Sequence, residues 1–225
     1  SITSTVQANT DAGFSIVTYT GTGANATFGH GLGAVPKMII TKTRSHTGDW
    51  MVYHGANTSA PQTDFLKLNA TNATEDLNTV WNDTAPTSSV FTLGSNGDVN
   101  TSGRTQVAYC FAEVEGYSKF GSFTGNGSAD GTFVYTGFRP AFIIVKTTTV
   151  ANWEMFDTTR SPSNVIGIRL FPSTTNAENA GEANCYDILS NGFKSRGAYG
   201  GNNISGEVHI YMAFAEAPFK YANAR

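Results

Sequence analysis

An internal repeat is the feature that most constrains how this chain folds. The segment YTGTGANATFGHGLGAVPKMIITKT, which begins at Tyr19, matches FTGNGSADGTFVYTGFRPAFIIVKT at a constant offset that needs no gap. Glycines and prolines recur at matching places, as in the pairs Gly21 and Gly125, and Pro36 and Pro140. A repeat of this kind indicates that one folding unit is present twice.

The repeat extends through both halves of the chain. When the alignment is shifted slightly, SSVFTLG aligns with SNGFKSR, and NTSGRTQVAYCFAE aligns with NISGEVHIYMAFAE. We therefore predict two modules, 14–115 and 116–225, preceded by an N-terminal lead-in at 1–13. The stretch FAEVEGYSKFGSF passes from one module into the next without the composition of a flexible linker.

Short β-branched and aromatic runs, such as GFSIVTYT, WMVYH and SVFTLG, alternate with glycine-rich and asparagine-rich turns. The chain contains 24 glycines, which favours strands and turns over helices. We predict an all-β fold, made of two tandem, internally duplicated antiparallel β-sandwich modules with little helix. Two runs, KMIITK and AFIIVK, are apolar on both faces, as expected of strands that are covered on both sides. The runs RTQVAYCFAEV and EVHIYMAFAEA have a similar pattern, and we predict that all four are inner strands. NATNATEDLNTVW is the best helix candidate.

Composition excludes several functions. Charged residues make up 14% of the chain and the net charge is −3, so no basic field is available to bind nucleic acid. No apolar run reaches the roughly 20 residues of a membrane span, so we expect no membrane insertion. Cys110 and Cys185 lack the spacing of a zinc pair or redox dithiol, and whether they pair stays open.

Catalytic and metal motifs are weak. HGLG is similar to the oxyanion loop of some esterases, but no G-x-S-x-G elbow accompanies it, and the ungapped repeat puts Val134 in place of His30. We predict a turn there, with no catalytic residue, no cofactor and no metal ligand. Calcium binding stays an alternative for two turns that contain possible oxygen ligands, and Asx turns explain these residues equally well. The residues are Asn96, Asp98, Asn100, Asn126 and Asp130.

The repeat separates shared residues from unshared ones. Trp50 and Trp153 match each other and are predicted core. Trp81 lies among polar residues without an aromatic counterpart and is the preferred exposed aromatic, with packing as the alternative interpretation. The loops that differ between modules are 54–63 and 79–86 in the first, and 157–165, 176–184 and 196–203 in the second. The residues predicted to bind a ligand in these loops are Trp81, Asn82, Asp83, His54 and Tyr199.

Several stretches carry a family resemblance, among them VWNDTAPTSSVFTLG, VAYCFAEVEGYSKFGSFTGNGSADGTFVYTGFRPAFIIVK and YMAFAEAPFKYANAR. In these stretches, and over nearly its whole length, the chain resembles a repeated β domain of marine tailed-phage virion proteins. Those domains often form the C-terminal region of tail-fibre or other structural proteins. The resemblance implies a non-enzymatic, extracellular virion protein and transfers no functional residues.

The resemblance leads us to expect a tail-fibre or receptor-binding adhesin module that contacts host-surface glycans through its loops. A capsid decoration, or another assembly protein that binds virion partners, is the alternative. A glycan depolymerase ranks third, because no carboxylate pair stands out. We expect other virion proteins and host-surface carbohydrate as partners, and a homo-oligomer that is a trimer if the chain belongs to a fibre.

Overall fold

The computed structural model describes residues 1–179, 185–198 and 201–217. The chain divides into two compact units. Unit 1 contains Ser1–Asn69 and Thr74–Glu113, and unit 2 contains Ala70–Ala73 and Val114–Arg225. The division after residue 113 lies two residues from the module boundary that the repeat predicts.

Unit 1 is built from nine strands and two helical turns, which are β1 (Ser4–Asn9), β2 (Phe14–Thr20), β3 (Ala26–Gly29), β4 (Met38–Thr43), β5 (Met51–His54), β6 (Asp64–Lys67), β7 (Glu75–Asp76), α1 (Asn78–Trp81), β8 (Val90–Leu93), α2 (Gly97–Asn100) and β9 (Thr105–Phe111). Seven strands form one sheet in the order β1-β2-β9-β4-β5-β6-β7, and β3 pairs with β8 separately. The core fills the space between this sheet and a second layer of β3, β8 and the helical turns. The predicted lead-in supplies β1, a strand of the large sheet.

The described strands of unit 2 are β10 (Ser118–Thr124), β11 (Phe133–Tyr135), β12 (Pro140–Thr147), β13 (Glu154–Asp157), β14 (Tyr186–Leu189), β15 (Gly192–Ser195) and β16 (Val208–Ala215). They form a four-stranded sheet in the order β10-β16-β12-β13 and a three-stranded sheet in the order β11-β15-β14. Apolar side chains from both sheets meet in one core, which makes the unit sandwich-like.

The predicted all-β, antiparallel fold is confirmed. The runs that are apolar on both faces are inner strands, as predicted. β4 lies between β9 and β5, and β12 lies between β16 and β13. The order β2-β9-β4-β5 in unit 1 has the same connectivity as β10-β16-β12-β13 in unit 2. A duplicated unit predicts this shared order, and the duplication itself stays a prediction.

The ungapped alignment of the two halves is wrong over one stretch. Phe28 on β3 lies opposite Phe91 on β8, and Val134 on β11 lies opposite Phe193 on β15. Since Phe91 and Phe193 match in sequence, Val134 corresponds to Phe28 rather than to His30. Cross-strand pairing sets the register of a strand, and the neighbouring turns absorb the difference in length.

Helix is confined to single turns in the described part of the chain. The candidate NATNATEDLNTVW forms only α1 at its end, preceded by β7. Of the two repeated tryptophans predicted in the core, Trp153 is buried, but Trp50 is only half-buried and stacks on Tyr109. None of the described helices is long and apolar enough to cross a bilayer.

A buried asparagine closes the same turn in each unit. In unit 1 the side-chain oxygen of Asn100 accepts from the Thr22 N–H at 2.8 Å, and its nitrogen donates to the Ala24 and Gly94 carbonyls at 2.7 and 2.9 Å. The turn requires glycine at position 21, directly after β2. A Cβ on Gly21 would lie only 2.2 Å from the Thr101 carbonyl oxygen and would clash with it.

In unit 2 the side-chain oxygen of Asn203 accepts from the Asn126 N–H at 3.0 Å, and its nitrogen donates to the Ser128 carbonyl at 2.8 Å. Gly125 is constrained as Gly21 is, since a Cβ there would lie 2.1 Å from the Ile204 carbonyl oxygen. Because both asparagines are fully buried, their amide groups must be satisfied within the protein, and these bonds to the backbone satisfy them.

A second buried polar side chain lies at matching places on the central strands β9 and β16. Gln106 and His209 are fully buried, and neither has a side-chain hydrogen-bond partner among the described residues. The imidazole of His209 stacks on Phe123 at 5.0 Å between ring centroids. Burial lowers the pKa of His209 to about 4, while nearby Glu207 raises it and Lys146 lowers it.

The asparagine contacts predict a matched pair of destabilised variants. Asn100→Ala and Asn203→Ala should each lower the free energy of unfolding by about 2–4 kcal/mol, because several hydrogen bonds of a fully buried side chain are lost at once and a cavity remains. Urea unfolding followed by circular dichroism measures this. Asn25→Ala, which removes an exposed bond to Asn82, should change it by less than about 0.5 kcal/mol. Losses below about 1 kcal/mol in both test variants would contradict the role assigned to these side chains.

His209 predicts a loss of stability in mild acid. The unfolded chain binds a proton on this histidine near pH 6.5 and the folded chain only near pH 4, so stability is full above pH 6.5 and falls as the pH drops toward 4. The full window corresponds to about 3 kcal/mol.

His209→Gln installs the residue that unit 1 carries at the matching place and removes the titrating group. We expect the difference in unfolding free energy between wild type and this variant to shift between pH 6.5 and pH 5, measured by urea unfolding at each pH. A pH-independent difference would show that His209 does not titrate in this way.

Candidate functional site

The structure does not gather the predicted ligand-binding residues into one site. The prediction that Trp81 is exposed is wrong, because its side chain is 1% exposed and its indole N–H donates to the Asp64 carbonyl at 3.0 Å. Its ring packs against Phe91 at 5.1 Å between centroids. His54 is also buried, and its Nδ1 accepts from the Ala56 N–H. Neither side chain is available to an external ligand in this conformation.

Asn82 and Asp83 form the turn after α1. Both have left-handed backbone angles, with φ of 53° and 46°. The Asn82 N–H closes the helical turn on the Asn78 carbonyl at 2.8 Å, and its side-chain oxygen accepts from Asn25. These contacts explain Asn82 as a turn residue, while Asp83 is exposed. Tyr199 lies outside the described residues.

The turns considered for calcium are occupied by internal contacts. The Asn96 side chain accepts from the Asp98 N–H, Asn100 and Asn126 hold backbone groups, and Asp130 pairs with Lys194 at 2.5 Å. Within the described ranges, three or more His, Cys, Asp or Glu side chains nowhere cluster in a way that could hold a metal ion. Asx turns account for Asn96 and Asn126, while a long-range hydrogen bond engages Asn100 and an ion pair engages Asp130.

A polar cleft of about 590 Å³ opens on unit 2. The segment before β13 and the long connection between β13 and β14 form its walls, and the principal lining side chains are Asn152, Glu154, Arg169, Phe171, Asn176 and Glu178. Part of this lining belongs to loop 176–184, one of the loops that differ between the modules; its residues 180–184 lie outside the described part. The volume is in the range of small-molecule sites.

Glu154 begins β13 and points toward the inside of the unit. It lies on the same face of the strand as Phe156, which is part of the core, and it is 3% exposed. Gly201 comes so close that a Cβ there would lie 2.6 Å from a carboxylate oxygen of Glu154. Burial, followed by the charge of Glu154, raises the pKa of Tyr186 well above its usual value, so that its hydroxyl stays neutral.

Arg169 is the charge partner of Glu154. Its side chain is 5% exposed, with Nε 3.6 Å from Oε1 of Glu154 and Nη1 donating to the Cys185 Sγ at 3.3 Å. Its guanidinium carbon lies 5.2 Å from the ring centroid of Phe171, a cation–π distance. Two backbone hydrogen bonds with Asn179 fix the segment that carries it. The guanidinium is thus held from several sides at the cleft.

The rim of the cleft adds further polar groups. Asn176 and Glu178 are exposed, and Glu178 pairs with Arg160 at 3.3 Å. The cleft therefore combines an exposed carboxylate and amide at its rim with the nearly buried carboxylate of Glu154 and guanidinium of Arg169 in its lining; carboxylates accept hydrogen bonds, a guanidinium donates them, and amides do both. This combination suits a ligand rich in hydroxyl groups, which also donate and accept.

The repeat itself contains a sequence signal for this cleft. When DWMVY is matched to NWEMF, Met51 corresponds to Glu154, so a charged residue replaces an apolar one at an inward position. Met51 is buried in the core of unit 1. A charge at a place that the fold fills with methionine is a sign of function rather than packing. Arg169 had no counterpart to compare, because it lies in a connection that differs between the halves.

Both cysteines are buried free thiols, so the question of a disulfide is answered by the structure. Burial raises the pKa of Cys110 to about 12, which keeps it protonated. Cys185 is fully buried beneath the cleft residue Arg169 and accepts a hydrogen bond from its guanidinium.

The buried pair predicts an unusual pattern of stability. Arg169→Met should lower the free energy of unfolding by about 3–5 kcal/mol, since it leaves the Glu154 carboxylate buried without its cation. The double variant E154M/R169M should recover most of that loss, because methionine already fills the matching place in unit 1. Urea unfolding checks both. Arg160→Met, at the partly exposed pairs with Asp157 and Glu178, should cost less than about 1 kcal/mol. A double variant no more stable than R169M would contradict the assignment.

Comparison with known proteins places the chain in a family. No curated protein and no solved structure matches it. A family model described as a domain of unknown function, DUF7483, matches residues 1–218. Since the match covers nearly the whole chain, the protein belongs to the DUF7483 family.

Proposed function

We propose that this chain is a non-enzymatic phage virion protein, a tail-fibre or receptor-binding module that contacts host-surface glycans. The resemblance of the sequence to repeated β domains of phage virion proteins supports the virion assignment. The polar cleft of unit 2 supports the binding role, and it is the observation that carries the proposal. We place the protein outside the host cell, as part of a homo-oligomer.

The cost of the buried ion pair is the reason to assign binding to the cleft. Desolvating Glu154 and Arg169 costs several kcal/mol that their attraction only partly offsets, and apolar residues often do as well. Unit 1 folds with Met51 at the matching place. A pair that the fold does not need, and that lines an open cleft, is therefore retained for a ligand.

The arrangement of charges favours holding a ligand over cleaving it. Both carboxylates of the cleft face arginines, Glu154 with Arg169 and Glu178 with Arg160. A glycan-cleaving site uses one carboxylic acid as a proton donor and a second carboxylate opposite it across the scissile bond. Carboxylates engaged with guanidinium groups suit recognition of hydroxyls, so we assign binding without catalysis.

A glycan array tests the proposal directly. The full chain should bind a subset of a printed array of bacterial lipopolysaccharide, capsular and oligosaccharide glycans, and E154M/R169M should lose about tenfold or more in affinity while staying folded. The control K67M/E75M removes an ion pair of unit 1 and should bind as wild type. If the wild-type chain binds no glycan on the array, the proposed function is overturned.

The edge strand β1 favours a second candidate, a decoration or assembly protein that binds virion partners. Five of its six residues are exposed, and the sequence STVQAN contains no charge and no proline. Natural proteins usually protect such edges, because an open edge can pair with a strand of another chain. Antibody-labelled electron microscopy decides between the two: label at fibre tips supports the adhesin, and label over the capsid face supports the decoration protein.

A further inference from the structure

Two aromatic side chains lie exposed on one strand of unit 2. Phe133 is 44% exposed and Tyr135 is 64% exposed, whereas Val134 between them is buried in the core. Alternate residues of a strand share a face, so both rings lie on the outer face of the β11-β15-β14 sheet, about 7 Å apart along the strand. In the described part of the chain they are the only aromatic residues among the exposed large apolar side chains.

The fold of a unit does not require these two rings. The cross-strand pairings that match Val134 to Phe28 put Thr27 in the place of Phe133 and Gly29 in the place of Tyr135. Unit 1 thus forms the same strand pair with one small polar residue and one glycine.

Each ring lies over a glycine. A Cβ on Gly192 would lie 3.1 Å from a ring carbon of Phe133, and a Cβ on Gly137 would lie 3.7 Å from the Tyr135 hydroxyl oxygen. Rings that rest on backbone in this way are held close to the sheet on one side. The rest of each ring is exposed to solvent.

Charged side chains border the two rings. Lys194 lies directly opposite Phe133 and pairs with Asp130 at 2.5 Å. Arg196 joins the same network, at 3.5 Å from Asp130 and 3.2 Å from Asp187. The patch therefore combines a small apolar centre with hydrogen-bond donors and acceptors at its edge.

We propose that Phe133 and Tyr135 form a stacking platform for the pyranose rings of an oligosaccharide, with the Asp130–Lys194–Arg196 network bonding to its hydroxyls. This inference rests on the proposed glycan-binding function and adds a second site to it. A pyranose has one apolar face of C–H groups that suits an aromatic ring, and a belt of hydroxyls that suits the charged border. Stacking on exposed rings uses dispersion and the ring quadrupole, as in other aromatic contacts.

The same features disfavour a protein partner. A stable protein interface buries about 800 Å² on each side, and its centre is depleted in charged residues. Here two rings are bordered by four charged side chains. A saccharide, which is small and rich in hydroxyls, matches this patch better.

The test uses the full chain and the same printed array of bacterial glycans, followed by titration with the glycans that bind. F133T/Y135T removes both rings and keeps residues that favour strands; we expect about tenfold weaker binding, with the thermal midpoint of unfolding within a few degrees of wild type. Tyr135→Phe keeps the ring and should bind within about threefold of wild type, whereas Tyr135→Leu keeps an apolar side chain without a ring and should bind several-fold more weakly.

The outcomes separate this inference from the proposed function. If F133T/Y135T binds glycans as wild type does while E154M/R169M does not, the platform is overturned and the proposed function stands. Absence of any glycan binding by the wild-type chain overturns both. If the wild-type chain binds no glycan but self-associates in sedimentation experiments, and F133T/Y135T abolishes that association, the patch is a protein contact and the platform is overturned.

Discussion

The buried asparagine at the end of each sheet is the contact on which the rest of each unit depends. Asn100 ties the glycine turn after β2 to the loop that leads into β9, and Asn203 ties the glycine turn after β10 to the loop that leads into β16. Both side chains are fully buried, so their amide groups need partners within the protein, and the backbone of the turn supplies them. Fixing the turn sets where the neighbouring strands begin to pair, and strand register decides which side chains enter the core.

Within this common frame, the differences between the units carry the functional information. Where unit 1 has Met51, unit 2 has Glu154, and where unit 1 has Thr27, unit 2 has Phe133. Each change introduces a side chain that the fold does not require, because unit 1 forms the same strands without it. A buried carboxylate and an exposed aromatic ring both work against stability or solubility, and the proposed glycan-binding function gives a reason to retain them.

Both candidate sites on unit 2 use chemistry suited to saccharides, in different proportions. The cleft offers charges and amides on a loop-built wall, while the β11 patch offers aromatic rings on a sheet. Weak contacts at two sites of one chain strengthen each other when one polymeric ligand reaches both, and they strengthen further in an oligomer. The function of the family is unknown. The two candidate sites therefore give the most specific hypothesis about what the chain binds.

The sequence by itself determined the fold class, the approximate division into halves and the inner strands, because alternation and turn residues act locally. It did not determine exposure. Trp81 lies among polar turn residues, yet its ring is buried, since the direction of one side chain depends on the layer packed above it. Likewise, the two-residue shift at β3 and β11 follows from cross-strand pairing, which no ungapped comparison contains. Only the tertiary structure brought Glu154 to Arg169 and set Phe133 beside Tyr135 at the surface. Contacts between distant segments depend on how the layers pack rather than on local preference.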